Sequence, residues 1–185
     1  MDAEFRQKVR NIYRVNRILW YAITAGVLTL LIVGYFLHAS GSITPTGTAG
    51  RNSLGTIFLI VAMILLYIIF HMKRNYLDPK KLVWRAKKKT LEITTVDLAD
   101  FIAQFGDNAD TMVKTLILLR RYYMVIWSIA DLITILGFVE FVVTGELRVL
   151  AIYGVVSLYS LLINFPSFGI IEKCYNIIST EESIS

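Results

Sequence analysis

"WSIADLITILGFVEF", Trp127 to Phe141, decides the fold. Apart from Ser128, Asp131, Thr134 and Glu140 it is apolar, and it lies inside a longer apolar run from Tyr122 to Val143. About 20 such residues cross a hydrocarbon core of about 30 Å as an α-helix. Backbone groups in lipid must pair within their own segment, which also calls for a helix. Three more runs have the same character: Ile18 to Ala39, Leu54 to Met72 and Val149 to Ile171. Of the 185 residues 56% are hydrophobic, and the mean hydropathy is +0.60. The sequence therefore predicts an all-α integral membrane protein, a four-helix bundle of two hairpins. The first run is too long for a cleaved signal, and no small-residue cleavage site follows it.

The cationic residues set an expected orientation. Of the nineteen Lys and Arg, five precede the first run (Arg6, Lys8, Arg10, Arg14, Arg17) and eleven lie between Lys73 and Arg121. Arg51, Arg148 and Lys173 are isolated. The positive-inside rule then places both termini and the middle segment in the cytoplasm, with Ser40–Ser53 and Thr144–Arg148 outside. The expected organisation is a basic N-terminus (1–17), a first hairpin (18–72), an amphipathic cytoplasmic segment (73–121), a second hairpin (122–171) and a tail (172–185). A net charge of +5 needs no nucleic-acid partner, because an anionic inner leaflet accounts for it. The single cysteine, Cys174, excludes an internal disulfide.

Two short helices are predicted in the middle segment. In "LDPKKLVWRAKKK" Asp78 can cap and Pro79 suits the first helical position. Leu82, Val83 and Ala86 form an apolar side against a basic one of Lys80, Lys81, Arg85, Lys87, Lys88 and Lys89. That pattern fits a helix lying on anionic headgroups, or a solvated helix of a small cap. In "TTVDLADFIAQFG" Leu98, Phe101, Ile102 and Phe105 share one face. So short a helix is marginal alone, and its stripe is a candidate docking surface for the other amphipathic helix, the membrane, another copy or a partner. After "GDNAD" a helix from about Thr111 to Val143 is expected, capped by Asn108 or Asp110.

Asp131 sits ten residues beyond Arg121, so roughly 15 Å deep. An unpaired carboxylate there costs about 2.5–3.5 kcal/mol. Ser128 and Thr134 flank it, and the fourth run carries a small and polar stripe of Gly154, Ser157, Ser160 and Asn164. Counting inward from Glu172 puts Asn164 at a similar depth, so Asp131 and Asn164 are expected to meet, directly or through a serine or water. The predicted polar cluster is Ser128, Asp131, Thr134, Ser157, Ser160 and Asn164. It serves either as a clamp between helices or as a proton or cation site. Glu140, nine residues on and about 180° around the helix, is expected to snorkel at the outer surface. Trp20, Tyr21, Tyr122 and Tyr123 look interfacial. Pro166 is expected to kink the fourth span. Span one offers a small face of Ala22, Ala25, Gly26 and Thr29, whereas span two should face lipid. His38 and His71 are expected at opposite membrane surfaces and cannot share a metal. No metal site, cofactor, phosphate loop or nucleophile–base set is evident, so no enzyme is expected.

"SIADLITILGFVEFVVTG", followed by a span ending "LLINFPSF", resembles small bacterial four-span proteins with a proteolipid-like hairpin. These carry an acid several residues before a Gly-Phe or Gly-Leu pair, the places taken here by Asp131, Gly137 and Phe138. The resemblance covers about fifty residues and implies a bacterial inner-membrane location and no known activity. It departs from the rotor subunits of ATP synthases, since the acid is on the first helix of its hairpin. The expected function is an accessory or scaffold subunit of a membrane assembly, as a homo-oligomer or with other subunits. The alternative is an oligomeric proton or cation path through Asp131.

Overall fold

The computed structural model describes residues 3–43, 51–88 and 102–182. Among them no strand occurs. The helices are α1 (Ala3–Ala39), α2 (Arg51–Tyr76), α3 (Pro79–Lys88), α4 (Asp107–Thr144), α5 (Leu147–Ile163) and α6 (Gly169–Glu182). Residues 102–105 are helical too. Three helical segments are long and apolar enough to cross a membrane: Glu4–Ala39, Leu54–Tyr76 and Asn108–Thr144. By length and composition the chain is an integral membrane protein.

The expected fourth span is shorter than its apolar run. α5 has 17 residues, or roughly 26 Å at 1.5 Å per residue. The run to Ile171 was expected to be one kinked helix. Instead the helix ends at Ile163, residues 164–168 are non-helical, and α6 begins at Gly169. Pro166 brings no N–H and pushes the preceding residue out of the helical region, so it terminates rather than bends. Where a four-span bundle was expected, the described residues hold three long apolar helices and a shorter apolar one. The second difference is at the start, where α1 has no break between the basic 1–17 segment and the apolar run. Phe5, Val9, Tyr13, Asn16, Trp20 and Val27 are all buried, and spacings of three, four and seven keep them on one side of a continuous helix.

The chain divides into two compact units. The first comprises Met1–Arg17, Met72–Met124 and Pro166–Ser185. It holds seventeen of the nineteen Lys and Arg residues. In α3 Asp78 accepts a hydrogen bond from the Lys81 backbone N–H at 3.1 Å, the expected cap. The apolar side of α3, Leu82, Val83 and Ala86, is fully buried and packs on α6. Gly106, at φ 72°, breaks the chain ahead of α4. α4 contributes Ala109, Met112, Val113, Leu116 and Leu119 to this core, and α6 contributes Ile171, Cys174 and Ile178. The sequence placed residues 172–185 in a tail, but Gly169–Glu182 is a helix with a buried face.

The second unit comprises Ile18–His71 and Val125–Phe165. Ile126, Trp127, Ala130, Ile133 and Phe141 of α4 and Leu150, Tyr153, Ser157 and Leu161 of α5 are buried in it, and the two helices meet along a seam at Ala130–Ser157 and Gly137–Tyr153. Gly145 joins the two helices at φ 73°, and its N–H donates to the Phe141 carbonyl at 2.7 Å. At Gly137 and Gly154 the absence of a side chain allows close approach. A Cβ on Gly137 would lie 2.4 Å from the Cβ of Tyr153, and one on Gly154 would lie 2.4 Å from Leu31. α2 buries only Ile69 between Leu54 and Tyr76 and exposes Ile57, Leu59, Met63, Ile64 and Tyr67, as expected of a lipid-facing helix.

Candidate functional site

The polar groups of the second unit concentrate on α4, α5 and the residue that ends α5. They do not form the single cluster expected. A step of three residues turns a helix by 300°, so Ser128, Asp131 and Thr134 each sit about 60° from the last. Ser128 is exposed, Asp131 half-buried and Thr134 fully buried. Across the seam, the Ser157 hydroxyl donates to the Ala130 carbonyl at 2.6 Å. The Ser160 hydroxyl turns back to its own helix, on Val156 O at 2.8 Å.

Asn164 does not meet Asp131. Its place is the end of α5, opposite Trp127, about one turn from Asp131 along α4. The last carbonyls of a helix lack internal partners, and here they lie in an apolar setting. The Asn164 side-chain amide donates to Ser160 O at 2.8 Å, and its backbone N–H donates to Leu161 O at 3.2 Å. The Trp20 indole also donates to Leu161 O, at 3.0 Å. Phe165 N–H donates to Leu162 O at 3.2 Å, and the Trp127 indole donates to Asn164 O at 3.1 Å. Two buried tryptophans and one asparagine thus seal the helix end. Trp20, read from sequence as interfacial, is 6% exposed. The depth count assumed a helical rise through residues 164–168, which are non-helical.

Two carboxylates remain. Oδ1 of Asp131 is buried and without a hydrogen-bond partner among the described residues. It stands at the edge of the buried face of α4, beside exposed Leu132 and Ile135. Glu140, expected to snorkel, is 7% exposed. Its Oε1 lies where a Cβ on Gly55 would come within 2.8 Å, so α2 approaches α4 there. Oε2 of Glu140 and the hydroxyl of Tyr153 are both buried and unpartnered. The hydroxyl lies beside the Glu140 carboxylate. The 180° between Asp131 and Glu140 sends them to opposite edges of the same buried face, because that face is broad. Contact with α2 at Gly55 was invisible from α4 alone. Its sequence signal is Gly55, the one glycine of its apolar span.

In the first unit the basic and docking residues are spent differently than expected. Lys80, Lys81, Lys87 and Lys88 are exposed, and Lys88 lies 5.1 Å over Trp84. Arg85 is half-buried, donating to the Asn75 carbonyl at 3.2 Å and lying 4.4 Å over Tyr76. Lys89, Leu98 and Phe101 lie outside the described residues. Phe105 packs edge-on against Phe5 at 5.2 Å, and Gln104 bonds Lys8 and Glu4. Ile102 and Phe105 are half-buried. The described part of the docking stripe therefore packs on the start of α1. Arg6 pairs with Glu172, and Tyr13 donates to Ser167 O at 3.3 Å. Among the described residues no group of three or more His, Cys, Asp or Glu could hold a metal ion. No family model, curated protein or solved structure matches the chain.

Proposed function

We propose that this protein is a non-catalytic polytopic membrane protein, an accessory or scaffold subunit that joins its assembly inside the bilayer through Asp131. One observation carries the reading: a carboxylate at the rim of a packed helix face, in an apolar stretch, with a buried oxygen that no described residue satisfies. Charged or polar groups at that depth are costly unless paired. Ser157, Ser160 and Asn164 are committed to backbone carbonyls, so the missing partner comes from a neighbouring helix, in a second copy or another subunit. The first unit, with its concentration of lysine and arginine, lies on the cytoplasmic side of a bacterial inner membrane. Exposed Lys80, Lys81, Lys87 and Lys88 meet its anionic lipids. α5 completes a fourth crossing together with the non-helical residues after it.

The test is photo-crosslinking from Leu132 and Ile135, both exposed beside Asp131, in intact membranes. A covalent adduct with a copy of the chain or with one defined protein is expected, and Asp131→Leu should abolish it. Adducts with lipid alone refute the reading. The same carboxylate also supports a proton or cation path in a ring of copies. In that case Asp131→Asn removes liposome flux that the parent protein supports.

A further inference from the structure

The second unit has an apolar groove between α2, α4 and α5, about 120 Å³ in volume, lined by Leu59, Ala62, Met63 and Leu66 with Ile133, Ile152, Tyr153 and Val156. We propose that this groove and the Glu140–Tyr153 pair at its end together bind one phospholipid with a primary-amine headgroup. The acyl chain lies in the groove and the ammonium sits at Glu140.

The geometry is that of an amphiphile site. Leu59, Ala62, Met63 and Leu66 follow Gly55 by four, seven, eight and eleven residues, so they continue the face of α2 that touches Glu140. On α4, Ile133 lies seven residues from Glu140 and shares its face. Tyr153 belongs to both parts. Its ring lines the groove, and its buried hydroxyl is beside the carboxylate. The polar end is four residues from Thr144, the last residue of α4, so it lies near a membrane surface while the groove runs towards the bilayer centre. Leu59, Met63 and Ile152 are exposed, which leaves the groove open sideways to lipid.

Charge selects the headgroup. Glu140 offers an unpartnered buried oxygen, and an ammonium supplies N–H donors as well as opposite charge. Arg148 is exposed in the first turn of α5. It precedes Ile152 by four residues and so stands one turn beyond the groove on the same side. Arg148 takes the phosphate, Glu140 and Tyr153 the amine, and the groove the chain. A trimethylated headgroup keeps the charge and loses every donor, so it binds worse. A headgroup without an amine loses both. The site faces α2, on the opposite edge of α4 from Asp131, and does not depend on the scaffold reading.

Native mass spectrometry of the full-length protein tests this. Phosphatidylethanolamine, phosphatidylcholine and phosphatidylglycerol with identical chains are titrated in turn. The ethanolamine lipid should bind about tenfold more tightly than either of the others, the scale of a charge-assisted hydrogen bond. Glu140→Gln should remove the preference, Ala62→Phe should block binding of all three, and Arg148→Ala should weaken all three equally. Tyr153→Phe, which keeps the ring, should reduce the preference only in part. Helical content and thermal unfolding of each variant identify any that fail to fold, and Arg148→Ala and Tyr153→Phe then serve as the deciding variants. Equal affinity for the three lipids, or a preference that survives Glu140→Gln in folded protein, overturns the proposal.

Discussion

Replacing Gly137 by alanine should separate α4 from α5, and the size of the effect follows from the packing. The new Cβ would stand 2.4 Å from the Cβ of Tyr153, 2.8 Å from Cγ and 3.3 Å from Cδ2. Carbon atoms in contact sit about 3.5–4.0 Å apart, so the overlap is about 1 Å. Tyr153 Cβ is one bond from its backbone, and no rotamer moves it away. The helices must move apart, at a cost of about 1–3 kcal/mol for an overpacked site. Gly26→Ala is the matched control, because a Cβ there meets nothing within 4 Å. Both changes share the gain in helix propensity, up to about 1 kcal/mol, which cancels in the comparison. Reversible unfolding by SDS in mixed micelles, followed by circular dichroism, reads the difference. Gly137→Ala should be the less stable by about 1–3 kcal/mol. Stabilities within about 0.5 kcal/mol of each other, the spread of inconsequential substitutions, would refute the close helix contact. The Ser157–Ala130 hydrogen bond should loosen with it, visible as faster amide exchange along α5.

Trp20→Phe and Trp127→Phe should each cost about 1 kcal/mol in the same unfolding assay, and Asn164→Leu somewhat more. Together they should be non-additive, since all three act on one helix end; simple additivity would mean that they do not. Leu82→Ala should cost about 2–5 kcal/mol, because Leu82 is fully buried against α6; a cost below 1 kcal/mol would place α3 on the membrane surface instead. Burial first, and the nearby Asp78 charge second, push the Cys174 thiol from its ordinary 9.0 up to about 12. The folded chain therefore holds this proton more tightly than the unfolded one. Its contribution to stability is intact below about pH 9 and is lost as pH rises towards 12. At pH 8 a maleimide should modify Cys174 only after unfolding, and prompt labelling of the folded protein would contradict the packing.

What the sequence disclosed was the class of each segment. The apolar runs, the cap at Asp78 and a helix expected from about Thr111, which starts at Asp107, follow from local rules of length, capping and period. The turn at Gly145 is equally local. What stayed hidden depends on a partner far along the chain. Nothing near Trp20 indicates that its indole seals a carbonyl at Leu161, and interfacial and buried tryptophans look alike in a hydropathy profile. Residues 172–185 read as a tail because Gly169–Glu182 has its apolar side matched to α3, more than eighty residues earlier. Phe105 was legible as part of a stripe, whereas Phe5, its partner, was one apolar residue in a basic terminus.

The apolar helices differ in how their polar side chains are satisfied. In α1 the Thr24 and Thr29 hydroxyls each donate to the carbonyl four residues back, at 2.8 Å. Such groups are at peace with hydrocarbon, and α2 has few others. Among the described residues, the buried side-chain atoms left without a partner belong to Asp131, Thr134, Glu140, Tyr153 and Asn164. All five lie on α4, on α5 or at the end of α5. Native proteins pair nearly every buried polar atom, and the exceptions call for a cause. Packing faults would scatter over all the helices. Confinement to α4, α5 and the end of α5 is what the two proposals account for, with a neighbouring helix proposed at Asp131 and a lipid amine at Glu140. If Asp131→Leu and Glu140→Leu both stabilise the protein in micelles without changing what it binds in membranes, then neither edge is a site and the two acids are only a burden on the fold.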